Sequence, residues 1–271
     1  VVSFAVPLQK QIQQMSSIAV GPTQLPELYK ITQECAHLLG IGTPQVFICR
    51  ASSIDASTIA TDDVTPIILL SSGLVERLDL PELKFVIGHE CGHIHNLHGA
   101  YNTAVQLMTN AMLKLTLKGV GSIGFEDLMS TVGQVFHSGI MLFLTRWSRC
   151  AEITCDRAGL ICCGDLDTAQ SALTKLIVGD MATLGGFDVK TFIKQSRSVN
   201  STPLRLMELF NTHPLIPKRL EALEVFENCN TYYDWRSELV PPENLYDQAE
   251  ADRRCEKVIA IINNKNRNHS L

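Results

Sequence analysis

Apolar positions near the start of the chain recur at helical spacing. Leu25, Leu28, Ile31, Cys35 and Leu38 step by three and four residues, so Gln24 to Leu39 is predicted as an amphipathic helix, and Val6 to Val20 as another. Gly40 and Gly42 end the second helix, and the period then changes. Val46 to Cys49 and Pro66 to Leu70 are short apolar runs of strand type, with Ala56 to Ala60 a third strand between them. Asp79 to Glu82 carries a helix start. Asp79 can cap, Glu82 stands three residues on, and Pro81 suits the first turn; the helix should run to about His98 and end near Gly99. Helical spacing dominates afterwards. One helix is expected to start near Glu126 and another to carry Trp147 to Leu160. Further helices are expected at Thr168 to Ile177, Val189 to Gln195, Leu204 to Phe210, Pro217 to Phe226 and Asn244 to Asn264. The pattern implies an α+β fold, mostly helical, with a small early β-sheet.

The stretch from Leu128 to Thr145 is long enough to be weighed as a membrane span. Ser130, Thr131, Gln134, His137, Ser138 and Thr145 interrupt it, and six polar residues in eighteen favour a buried helix. No clear transmembrane span is therefore expected, while association with a membrane surface stays open. The chain opens on Val1 rather than Met, which reads as a trimmed or processed start, and no signal peptide is visible in the first residues.

Composition adds limits. With 45% hydrophobic and 19% charged residues over 271 positions, the chain is globular, and a formal charge of −5 gives no basic footprint for nucleic acid. There are 9 cysteines, an odd number with no Cys-x-x-Cys pair. They read as free thiols in a reducing compartment, most simply the cytoplasm.

The capped helix carries His89-Glu90-Cys91-Gly92-His93. Four residues advance about 400° around a helix, so both imidazoles share one face and can bind one Zn²⁺. Glu90 sits about 100° round from His89, where it can take a proton from an activated water. Chance alone would produce this motif about once in a hundred such sequences. A catalytic zinc site needs a third protein ligand. His95 and His98 lie about 240° and 180° from His89 and do not converge with it, and the longer metzincin pattern fails at Asn96 and Gly99. Glu152 is the candidate, with Asp156 one turn on to accept a hydrogen bond from a ligating histidine. A surface ion-pair ladder of Arg149, Glu152 and Asp156 is the alternative. Spacing alone does not separate the two.

These residues resemble the HtpX-like peptidases, the family that also contains CAAX prenyl proteases and Oma-type mitochondrial proteases. Three segments carry the resemblance: Glu82 to His93; Ser148-Arg149 with Glu152 and Asp156; and Thr212-His213-Pro214 followed by Arg219-Leu220. It covers roughly residues 40 to 228. The resemblance implies a zincin-like metallopeptidase of the gluzincin type with one catalytic Zn²⁺ held by His89, His93 and Glu152, and with Glu90 as general base. It implies that Asp156 supports a zinc-bound histidine and that His213 helps to stabilise the oxyanion. His213 alone also fits a turn cap before Pro214. Arg149 and Arg219 are expected as structural ion-pair partners.

The chain departs from the family pattern at Cys91 and Cys155, where the family often has Leu and Ala. It also departs at Asp55-Ala56-Ser57-Thr58, where the family tends to show Asn-Ala on the edge strand beside the cleft. Ala56, Ser57 and Thr58 are the expected substrate edge strand, with an altered preference. Membrane members carry spanning helices between the zinc segments. The polar-spotted Tyr101 to Leu117 and Leu128 to Thr145 suggest a soluble relative instead.

The expected activity is that of a zinc-dependent endopeptidase acting on a protein or peptide substrate. Its single domain would comprise N-terminal helices (1–40), a catalytic core (41–228) and a C-terminal helical extension (229–271). No oligomeric state is assigned. Rival readings are a zinc-binding assembly factor without proteolysis, a latent protease covered by residues 1–40 or 244–271, and redox control through Cys91, Cys150 or Cys155.

Overall fold

The structure is a computed structural model that describes residues 12, 15–61, 64–96, 125–179, 188–198, 208, 211 and 213–261. The expected helix at Tyr101 to Leu117, His98 and Gly99 lie outside the described residues, as does most of Val6 to Val20 and all of Leu204 to Phe210 except Glu208.

In chain order the elements are β1 (Ile18–Ala19), α1 (Pro26–Leu38), β2 (Gln45–Cys49), β3 (Ala56–Thr61), β4 (Val64–Ser71), α2 (Ser72–Arg77) and α3 (Leu80–His95). There follow α4 (Phe125–Cys163), α5 (Leu166–Val178), α6 (Val189–Ser198), α7 (Ile216–Glu227), α8 (Asn230–Trp235) and α9 (Gln248–Ile259). The protein is mostly helical with a small early sheet. Four strands pair in the order β1-β2-β4-β3. β2 and β4 run parallel, Val46 opposite Ile68, while β3 returns antiparallel to β4 with Thr58 opposite Ile68. β3 is thus an edge strand.

Three features differ from the sequence pattern. Ile18 and Ala19 form a strand against Ile48 and Phe47 rather than the end of a helix. Their backbone groups complete the otherwise unpaired side of β2, a long-range demand that helical spacing does not record. The two helices expected near Glu126 and Trp147 are one helix of 39 residues. Its lone Gly133 and Gly139 lower propensity but supply no cap, so the helix continues. The short helices α2 and α8 were not expected; α2 is capped by Ser71, whose Oγ accepts from Leu74 N at 3.1 Å. Among the described residues no helix is long and apolar enough to cross a membrane.

The start of α3 follows its sequence signal. Glu82 N donates to Asp79 Oδ1 and Asp79 N to Glu82 Oε2, both at 2.9 Å, which closes the capping box. Glu82 is buried and also accepts from Ser171 Oγ at 2.6 Å and Lys175 Nζ at 2.7 Å, which ties α3 to α5.

α3 and α4 pack at very close range because the seam lacks side chains. A Cβ on Gly88 would stand 2.5 Å from Cys162 Cβ, one on Gly92 2.9 Å from Ala158 Cβ, and one on Gly159 2.8 Å from the Phe85 ring. The core beside this seam contains Ile68, Leu70, Phe85, Ile87, Leu160 and Leu173, all fully or almost fully buried.

Candidate metal centre

The close seam brings His89, Glu90 and His93 of α3 against Glu152 and Asp156 of α4. The two imidazoles share a face, with ring centroids 5.0 Å apart. His89 Nε2 lies 3.7 Å from Glu152 Oε2, and His93 Nε2 lies 3.5 Å from Glu152 Oε1. Ligands about 2.0–2.2 Å from a tetrahedral metal ion stand about 3.3–3.6 Å from one another. The convergence of two imidazole nitrogens and a carboxylate at nearly that spacing fits a bound metal ion.

The other ring nitrogen of His89 is engaged. Nδ1 is 3.0 Å from Asp156 Oδ1, and Asp156 in turn receives Arg219 Nε at 2.7 Å and Nη2 at 2.6 Å. With Nδ1–H donated to the carboxylate, His89 keeps the lone pair of Nε2 for a metal. Arg219 also lies 3.5 Å from Glu152 through Nη1. The surface-ladder alternative for Arg149, Glu152 and Asp156 does not hold, because the three are 4%, 5% and 1% exposed. Arg149 donates instead to the backbone carbonyls of Asn211 at 3.0 Å and Glu208 at 3.3 Å, holding the segment that leads to His213.

His213, exposed at the rim, places Nδ1 2.9 Å from Glu152 Oε2; Thr212 lies outside the described residues. Burial opposes the ionisation of Glu152. Hydrogen bonds from His213 and His93 and the charges of His89 and Arg219 outweigh it and hold the carboxyl well below its ordinary range. Burial likewise opposes the charge on Asp156, and Arg219 and His89 win, so it too titrates below its ordinary value. The hydrogen bond to Glu152 raises His213. His93 is raised as well, because Glu152, Glu90 and Asp156 overcome its burial.

Two neighbours make contacts at the site that the sequence did not show. Thr58 was expected only as part of an edge strand; its Oγ1 lies 2.6 Å from Glu90 Oε2 and 3.2 Å from the Glu90 carbonyl oxygen. The Cys155 thiol stands where the family often has Ala. Its sulfur lies with one ring nitrogen each of His89 and His93 in a group spanning no more than 4.8 Å. The one available signal is its position three residues after Glu152, on nearly the same helix face. Burial first, then the surrounding carboxylates, pushes this thiol far above its ordinary value. Cys91 is buried in the core. All nine cysteines are free thiols. His95, rejected as a ligand on angle, is turned to the Leu39 carbonyl at 2.8 Å and packs edge-on to Trp235.

The centre opens into a cleft of about 1170 Å³. Ala56, Ser57 and Thr58 form one wall, with Trp147, Asn211 and His213 elsewhere on its lining. Toward the start of α3 the lining turns apolar, with Phe85, Val86, Leu173, Leu176 and Phe192. No lining residue comes from residues 15–40 or 244–261, so the described parts of the two termini leave the cleft uncovered.

The chain is similar to known proteins over most of its length. The model for peptidase family M48 matches residues 22–227. A plastoglobule-localized metallopeptidase 48 of Arabidopsis thaliana chloroplasts is 30% identical over 192 residues, which cover 70% of this chain and 52% of that protein. The chain thus spans about half the length of that relative. A protease HtpX homolog of Moorella thermoacetica is 27% identical over 232 residues, covering 79% of this chain and 76% of the homolog. Among solved structures, S. mikatae Ste24p superposes with a TM-score of 0.52 at 17% identity, over 82% of this chain and 57% of that one, a likeness of fold.

Proposed function

This chain belongs to peptidase family M48; we propose that it is a metalloprotease acting on proteins or peptides, a gluzincin-type endopeptidase whose single catalytic domain holds one zinc ion through His89, His93 and Glu152. The observation that carries the reading is the chain of contacts Arg219–Asp156–His89, which leaves His89 Nε2 facing His93 and Glu152 across the α3–α4 seam. Two imidazoles and one carboxylate are a donor set suited to catalytic zinc, with a position left for water or substrate.

When bound, zinc supplies the Lewis acidity that makes a water acidic near neutrality and polarises a carbonyl. The protein residues do the rest. Glu90, adjacent in sequence to His89, takes a proton from the attacking water and later delivers it to the leaving amine. Asp156 keeps His89 in one tautomer and orientation. His213, held at the rim against Glu152 with its affinity for a proton raised, is suited to donate to the oxygen that becomes negative at the scissile carbon. The substrate lies extended along β3, adding a strand to the free edge, a mode that reads backbone more than side chains. The apolar lining near Phe85, Val86, Leu173 and Phe192 suits a bulky apolar side chain of that substrate. The free thiols support a reducing compartment.

Glu90→Gln is the decisive test. It should retain zinc, measured by elemental analysis, and lose cleavage of casein or a quenched peptide. The wild type should cleave, and a chelator should stop it. A Glu90→Gln protein that cleaves like the wild type sinks the mechanism; a wild type that binds zinc but cleaves nothing favours an assembly role.

A further inference from the structure

We propose that Thr58 is a positioning residue for Glu90 and that it ties the general base to the strand on which the substrate is laid. The inference rests on the reading of Glu90 as general base. Its ground is the contact between the Thr58 hydroxyl and Glu90, 2.6 Å to Oε2 and 3.2 Å to the backbone oxygen. A hydroxyl has one proton to give. The shorter distance falls in the range of a charge-assisted O–H···O⁻ bond, so the carboxylate receives it. Among the described residues no other hydrogen bond reaches the Glu90 carboxylate.

The two partners differ in stiffness. A glutamate can turn about three side-chain bonds, whereas threonine is branched at Cβ and restricted at χ1. Thr58 is also anchored through its backbone, opposite Ile68 in the ladder of β3 and β4. A stiff donor on a paired strand therefore holds a flexible carboxylate. Oε2 is committed to the strand, and Oε1 is the oxygen left to take the proton. Placement matters because a general base acts only within hydrogen-bond reach of that proton. β3 has no partner on its outer side among the described residues. A substrate pairing there joins the same strand that holds Glu90, so the base and the scissile bond share one frame of reference.

The test compares the zinc-loaded wild type with Thr58→Val and Thr58→Ser, reading kcat, KM, zinc content and melting temperature. Valine keeps the branched shape and removes the hydroxyl; serine keeps the hydroxyl. Thr58→Val should keep zinc and melt with the wild type, while kcat falls about tenfold to a hundredfold and KM stays near its wild-type value. Thr58→Ser should recover most of the loss. The proposal is overturned by full activity in Thr58→Val, by equal loss in the serine variant, by loss of zinc or of folding that accounts for the defect, or by a rise in KM alone. Crystal structures of the zinc-loaded wild type and Thr58→Val give a readout without turnover. A Glu90 carboxylate that keeps its place after Thr58→Val also overturns it. If the wild type itself fails to cleave, the endopeptidase reading falls, and these structures still decide whether Thr58 positions Glu90.

Discussion

A carboxylate only 1% exposed survives as an ion only with strong partners, and Asp156 has two, Arg219 through a paired hydrogen bond and His89 through one. This residue does two jobs at once, fixing the histidine and neutralising a buried guanidinium. Asp156→Asn keeps the shape and removes the charge. It should cost about 3–5 kcal/mol of stability, because buried Arg219 loses the charge of its closest partner and keeps only the longer contact to Glu152, and it should weaken zinc binding about tenfold to a hundredfold. Thermal melting reads the first effect and a zinc titration the second. Zinc affinity unchanged in Asp156→Asn would mean that Asp156 does not hold His89 for the metal. At this scale spacing alone made His89, Glu90 and His93 legible, since three residues on one turn and a bit need no further context. Cys155 and the Thr58 contact were not legible, because nothing local distinguishes a threonine that meets Glu90 from one that faces solvent.

At the scale of elements the decisive feature is the bare seam between α3 and α4. The distance between His89 and Glu152 is set by Gly88, Gly92 and Gly159, which let the two helices nearly touch. Gly88→Ala places a methyl 2.5 Å from Cys162 Cβ and must push the helices apart. It should destabilise by about 1–3 kcal/mol, as overpacking does, and weaken zinc binding although no ligand is altered. Pairing it with Cys162→Gly should recover part of the binding. A Gly88→Ala protein with unchanged zinc affinity would show that the seam does not set the ligand distance. The start of α3 was readable from Asp79 and Glu82 because a capping box is local. The extent of α4 was not, because no signal over a few residues records whether two helical runs join into one helix of 39 residues. β1 failed for the same reason: two residues become a strand only because β2 lies beside them.

For the whole molecule, the proposed ligands join elements far apart in sequence, so a bound metal would act as a tie across the fold. Chelation should therefore lower the melting temperature, and zinc at about one hundred times its dissociation constant should restore about 2.7 kcal/mol. Calorimetry with and without chelator checks this; a melting temperature indifferent to zinc would deny the tie. The described parts of the termini stand clear of the cleft, α9 packing instead on the side of α4 through Arg157 and Asp252 and on α7 through Cys255 and Ala222. That arrangement gives no support to a latent form covered by those segments. The sequence by itself determined what repeats or pairs over a few residues: helix periods, the capped start of α3, and two histidines and a glutamate on one turn. Three separated segments carried a resemblance that pointed to Glu152, Asp156 and His213 as well. Only the tertiary structure decided that Glu152 meets His89 and His93, that Arg219 closes on Asp156, and that β3 delivers Thr58 to Glu90. The reason is physical: spacing along one helix follows from backbone geometry, whereas contacts between residues 32 to 67 positions apart depend on which side chains are small enough to let two elements meet.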